Sequence, residues 1–209
     1  LIGLVGSEMC IRDSCYYGKG MIEEAIPLYN QLIDQNPYSA PYWFGLARCH
    51  FEDLNFDQAI DACDYALIGD DEFADAYVMK GHCFYQLGNE DAALECYQKA
   101  EQMHGLAPEF VYTYIGLCKV SKGEWEEGYE NLEKAIQANE AEETPAPTLP
   151  SLYANAGLCL SKMKKKRKAH QYCKKAQKLE PKDPEAYLIE GRMYVEEGDY
   201  EKGIKQWAK

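Results

Sequence analysis

Nine cysteines and four histidines are the residues of this 209-residue chain best equipped to bind a metal or exchange disulfides. Zinc and redox sites hold cysteines in short spacings such as C-x-x-C, often with histidines close by. This chain contains no C-x-x-C. Cys49, Cys83, Cys118 and Cys159 instead recur far apart, each six residues after an aromatic, and Cys63 and Cys173 share a second column. A thiol in such a column packs as a small hydrophobe. His50 adjoins Cys49 and His82 adjoins Cys83, but helix neighbours point in different directions. His104 and His170 are scattered. No metal and no cofactor are expected, and unpaired thiols in this number suit a reducing compartment, the cytoplasm.

The remaining chemistry-bearing groups give no catalytic pattern. There is no P-loop, no G-x-S-x-G and no H-E-x-x-H. Acidic clusters at Asp70-Asp71-Glu72 and at Glu124, Glu126 and Glu127 read as solvated loops and helix faces. The expectation is a protein that is not an enzyme and takes no small-molecule substrate. Charge is unevenly distributed. Residues 15–149 carry 25 Asp/Glu against 7 Lys/Arg, a net of −18, whereas residues 150–182 carry 10 Lys/Arg against Glu180 alone, a net of +9. The run Lys162-Met163-Lys164-Lys165-Lys166-Arg167-Lys168 reads either as a localisation signal or acidic-partner patch, or as the exposed corner of a helical hairpin. A formal net charge of −13 repels phosphate backbones, so no nucleic acid is expected. No stretch has the apolar length of a membrane span, so no membrane partner is expected either.

The elements behind these columns repeat. Trp43, Tyr77, Tyr112, Tyr153 and Tyr187 are spaced by 34, 35, 41 and 34 residues. Four residues after each comes a small residue: Ala47, Gly81, Gly116, Gly157 or Gly191. Further small residues follow at Ala59, Ala93, Gly128, Ala169 and Gly203, then at Ala66, Ala100, Ala135 and Ala176. Spacings of four and seven keep each set on one helical face. The pattern predicts pairs of helices that approach closely over small residues. Turn signals at Leu87-Gly88-Asn89, Lys122-Gly123-Glu124 and Glu197-Gly198-Asp199 separate the two helices of a pair.

With these columns in place, the chain resembles the tetratricopeptide repeat, as in Ala74 to Gly88 and again from Asp183 to Tyr187. The resemblance implies an all-α, right-handed superhelical solenoid. Residues 1–14 are set aside as an artefact or disordered start, because Leu4 to Ser14 resembles an in-frame translated sequencing adapter. The solenoid is expected over 15–209: a half repeat at 15–39, repeats at 40–73, 74–108 and 109–140, a loop at 141–149, a repeat at 150–183 and a truncated one at 184–209. The unit from Glu109 departs from the family, with Gly128 and Leu132 where alanine and an aromatic are preferred. Pro27 is placed early in its helix, where a proline is tolerated.

In that family the first helices line a groove that binds peptides. Carried over by position, the candidates are Phe44, Arg48 and Phe51; Val78, His82 and Tyr85; Thr113, Tyr114 and Leu117; Ala154, Asn155 and Leu158; and Leu188 and Arg192. Phe51, Tyr85 and Tyr114 are expected to form an aromatic ladder. The family's best-known subset clamps the carboxylate of chaperone tails with Lys, Asn and Arg. The matching places here hold Phe44, Arg48 and Met79, which argues against that ligand and for an apolar or basic-aromatic peptide. The resemblance thus implies a non-catalytic scaffold with a protein or peptide partner. The alternatives are a helical-repeat RNA-binding protein, opposed by the acidic charge, and a targeting or regulatory segment of a larger enzyme complex.

Overall fold

The computed structural model describes residues 19–103, 108–142 and 147–208. The adapter-like start and the centre of the 141–149 loop lie outside them. The described residues form eleven α-helices and no strand. They divide into two compact units, Leu1–Leu106 and Ala107–Lys209. The first unit holds α1 (Lys19–Gln35) and two hairpins, α2 (Ala40–Glu52) with α3 (Phe56–Gly69), and α4 (Ala74–Gln86) with α5 (Glu90–Glu101). The second holds three hairpins: α6 (Pro108–Ser121) with α7 (Trp125–Ala141), α8 (Leu149–Lys162) with α9 (Lys166–Leu179), and α10 (Pro184–Glu196) with α11 (Tyr200–Trp207). Each helix packs mainly on its hairpin partner and on the next helix along the chain within its unit.

The small columns are the hairpin contacts. Ala47, Ala59, Ala66, Ala93, Ala135 and Ala169 are wholly buried. A methyl group built on Gly81 would stand 2.6 Å from the Tyr97 ring, one on Gly116 2.8 Å from Leu132, and one on Gly191 2.2 Å from the Trp207 indole. In these three pairs the first helix therefore supplies a gap, and the second helix fills it with a side chain sixteen residues on. Leu132 does this as completely as an aromatic would, being wholly buried. Gly128 likewise keeps its helix against Val120, whose Cγ2 would lie 3.1 Å from an added methyl. Gly81→Ala is expected to cost about 1–3 kcal/mol, because the buried Tyr97 ring has no room to retreat. Thermal unfolding measures this, and an unchanged midpoint would show that the two helices can part freely.

The hairpin corners share one backbone. Gly88, Gly123 and Gly198 take φ of 73°, 76° and 85°. Residue and bond recur together: Asn89 N donates to Phe84 O, Glu124 N to Lys119 O and Asp199 N to Tyr194 O. Leu54 and Lys164 occupy the same corner at φ 61° and 60°, in the left-handed region that side chains resist. Second helices then start on capping side chains where these are present, as where Asn89 accepts from Ala92 N and Asp199 from Lys202 N. Pro27 differs from expectation. It lies in the middle of α1, exposed to solvent, and removes one internal hydrogen bond there.

Candidate functional site

The first helices carry the candidate residues, and the structure sorts them by depth. On α2 and α4, Arg48, Phe51, His82 and Tyr85 are half-buried. The Phe51 and His82 rings lie 6.3 Å apart across the two helices, and Phe51 also meets Phe56 edge-on at 5.5 Å. His82 Nδ1 is 2.7 Å from the Tyr97 hydroxyl, which ties this face to α5. Burial lowers the His82 pKa to about 4, so the ring is neutral at physiological pH. Phe51 and His82 thus meet across α2 and α4, with Arg48 and Tyr85 about one turn away on their own helices.

Other candidates serve packing. Val78 and Thr113 are buried, and Ala154 is wholly so. Phe44, in the same repeat position, packs edge-on against Phe73 at 5.2 Å. This column faces the seam beside the helix, and only Leu188 of the set is well exposed, at 54%. Asn155 is buried too, because its amide donates to Glu185 Oε1 at 3.1 Å and to Ser151 O at 3.1 Å, stitching α8 to α10. Leu117 and Leu158 are half-buried and Arg192 is exposed on the second unit. Tyr114 breaks the expected ladder. Advancing Tyr85 by the 35-residue interval leads to Val120, whereas Tyr114 packs edge-on against Phe110 of its own helix at 5.0 Å.

Polar groups that might have done chemistry are tied into the scaffold. Tyr153 donates to Glu140, and Lys175 Nζ lies 2.9 Å from the Tyr153 hydroxyl, linking α7, α8 and α9. Burial, followed by the bond to Glu140, raises the Tyr153 pKa, and the same bond lowers that of Glu140. Tyr172 donates to Glu133 at 2.6 Å and meets Tyr153 edge-on at 5.4 Å. None of the described residues forms a cluster of three or more potential metal ligands. Burial pushes the thiols of Cys83, Cys159 and Cys173 up to about 12. Thiolate is the nucleophile, so these sulfurs are inert in the folded chain. Iodoacetamide at neutral pH is expected to leave Cys49, Cys63, Cys83, Cys96, Cys118, Cys159 and Cys173 unlabelled until denaturant is added, all seven being buried. Peptide mass mapping reads this, and native labelling of Cys83 would contradict it.

Sequence reasoning missed Glu190. It is wholly buried on α10, with Gln177 Nε2 2.7 Å and His170 Nδ1 3.1 Å from its carboxylate oxygens. The corresponding repeat positions hold Leu46, Lys80, Ile115 and Ala156. Lys80 likewise bonds across a seam, to Asp64 on α3.

Paired antiparallel helices, joined by left-handed corners and packed over small residues, define a helical-repeat solenoid protein. Residues 150–183 match the tetratricopeptide-repeat family model, and residues 18–100 match that of anaphase-promoting complex, cyclosome, subunit 3. The chain is a tetratricopeptide-repeat protein. It is 26% identical over 102 residues to the Hsp70-Hsp90 organising protein of Plasmodium falciparum (isolate 3D7), a match covering 46% of this chain and 18% of that protein. The chain thus spans about a fifth of that relative's length. Among solved structures, PilW, a type IV pilus biogenesis factor, superposes with a TM-score of 0.78 at 15% identity, over 96% of this chain and 90% of PilW. YrrB, described as a repeat protein with an unusual peptide-binding site, gives 0.69 at 18% identity, over 85% and 88%. These likenesses establish the fold.

Proposed function

We propose that the chain is a non-catalytic scaffold that binds an apolar or aromatic peptide segment of a protein partner on its first-helix face. The observation that carries this is the contact of the half-buried Phe51 and His82 rings across α2 and α4, with half-buried Arg48 and Tyr85 three residues away on the same helices. Partly exposed rings beside an arginine are the side chains that most often anchor an interface. The buried, inert thiols and the tied-up tyrosines favour binding over catalysis. The matching of YrrB, whose description includes a peptide-binding site, supports the same reading. No described helix is long and apolar enough to cross a membrane.

The test is selection of peptides from a random display library on the full chain, followed by affinity measurement on variants. Phe51→Ala and Tyr85→Ala are expected to weaken a selected peptide by more than about tenfold, about 1.4 kcal/mol, with little change in unfolding midpoint. Normal binding by both variants would rule out this face. Unfolding of both would assign the rings to the core.

A further inference from the structure

The second helices carry a charge pattern that the groove reading does not use. At one outward position the chain places Asp57 on α3, Asp91 on α5 and Glu126 on α7, at the 34- and 35-residue repeat intervals, and all three are exposed. The same position on α9, after the 41-residue interval, is Arg167. Seven residues on, where α3 and α7 hold Asp64 and Glu133, α9 holds Lys174, followed by Lys178 one turn later. The outward face of α9 thus inverts the sign of a column that is acidic on the preceding second helices.

The cations of this segment fall into two groups. Lys162 reaches Glu196 at 3.9 Å, Lys166 reaches Glu197 at 3.5 Å, Lys168 reaches Glu133 at 3.8 Å and Lys175 reaches Glu140 at 3.2 Å. Each of these bonds joins neighbouring repeats of the second unit. Lys164, Lys165, Arg167, Lys174 and Lys178 are exposed, with no carboxylate within 4.0 Å among the described residues. Lys164 also holds the left-handed corner that glycine occupies in three other hairpins, so a cation stands where the backbone would relax with glycine. From Arg167 to Lys178 the stripe runs about 16 Å along the helix, at about 1.5 Å per residue.

We infer that the outward face of α9, with its corner at Lys164 and Lys165, docks an acidic segment of a partner protein. Carboxylates along an extended segment or along one face of a helix match the stripe in sign and length. A short segment fits better than a second copy of this chain, because two bodies of net charge −13 repel each other whereas a few carboxylates do not bring such a field. It also fits better than RNA. Single-stranded nucleic acid binds over exposed aromatic platforms, and the α9 ring nearest the stripe, Tyr172, is buried at 8% exposure.

The test uses the full chain with fluorescein-labelled polyglutamate and polyglutamine peptides, followed by anisotropy at low and physiological ionic strength. Polyglutamate is expected to bind, polyglutamine not, and added salt to weaken binding. Arg167→Gln with Lys174→Gln is expected to cut polyglutamate affinity by more than about tenfold at an unchanged melting temperature. Should that pair not fold, Lys178→Gln with Lys165→Gln makes the same measurement on the rest of the stripe. Phe51→Ala and Tyr85→Ala are expected to leave polyglutamate binding intact, which separates this face from the first-helix surface. Undiminished polyglutamate binding in the stripe variants would overturn the inference. So would tighter binding of a single-stranded RNA or of phosphatidylserine vesicles than of polyglutamate, or self-association of the chain that the stripe variants abolish.

Discussion

Replacing Glu190 by alanine is expected to lower the unfolding free energy by about 2–4 kcal/mol, from the cavity and the two broken hydrogen bonds, while Glu190→Leu, which breaks the same bonds but fills the volume, costs less. The carboxylate is wholly buried and its oxygens are bonded to Gln177 and His170 of the preceding second helix. Alanine leaves a cavity and unpairs those two side chains, which are themselves only half-buried. Leucine fills the volume, and leucine or isoleucine already occupies this repeat position at Leu46 and Ile115, both buried. The pair is weak evidence for stability as it stands, because desolvating the carboxylate offsets most of what its bonds contribute. Its two bonds tie α10 to α9. Denaturant unfolding of both variants reads the difference. Equal, small effects would show that water reaches the carboxylate in solution.

The same residue marks where the sequence stopped being informative. The aromatic and small columns were legible because a helical hairpin dictates them from within one repeat. Gly81 must be small because Tyr97, sixteen residues on, crosses it, and the pattern recurs at Gly116 with Leu132 and at Gly191 with Trp207. Glu190 obeys a contact with the preceding repeat, through His170 and Gln177, and nothing in its own repeat announces them. Lys80 and Asp64 pair by the same logic. Position alone also overstated the peptide face. Val78, Thr113 and Asn155 lie on first helices, as the resemblance implied, but their side chains are buried, and Asn155 is taken up by Glu185. Helical position gives direction around one axis, whereas exposure depends on how closely the next helix approaches.

Charge behaved differently again. The basic run was visible at once, but its division was not. Which lysines are consumed depends on glutamates brought close by the fold, as with Lys168 and Glu133, 35 residues apart. The acidic column at Asp57, Asp91 and Glu126 could have been read from the repeat register alone, and with it the inversion at Arg167.

Acid is expected to destabilise the first unit before its carboxylates titrate, and His82 is the cause. Burial lowers its pKa from 6.5 to about 4 in the folded chain. Below pH 6.5 the unfolded chain therefore takes up a proton that the folded chain refuses. The stability contributed by keeping this ring neutral is complete above pH 6.5 and is lost progressively as pH falls towards 4. Over that window the loss approaches ~3 kcal/mol, at about 1.4 kcal/mol per unit. His50, lowered mainly by burial, adds in the same direction. Physically, an imidazolium at His82 would be charged between the Phe51 ring and α5, while its Nδ1, 2.7 Å from the Tyr97 hydroxyl, would become a fixed donor. His82→Gln keeps a hydrogen-bonding group there and removes the titration. Urea unfolding at pH 7 and at pH 5 should then show a drop for the native sequence that is clearly smaller in His82→Gln. Taking the difference between the two proteins cancels the carboxylates, which both share. Identical pH dependence would mean that His82 is hydrated in solution, and the surface formed with Phe51 and Tyr85 would have to be more open than its geometry indicates.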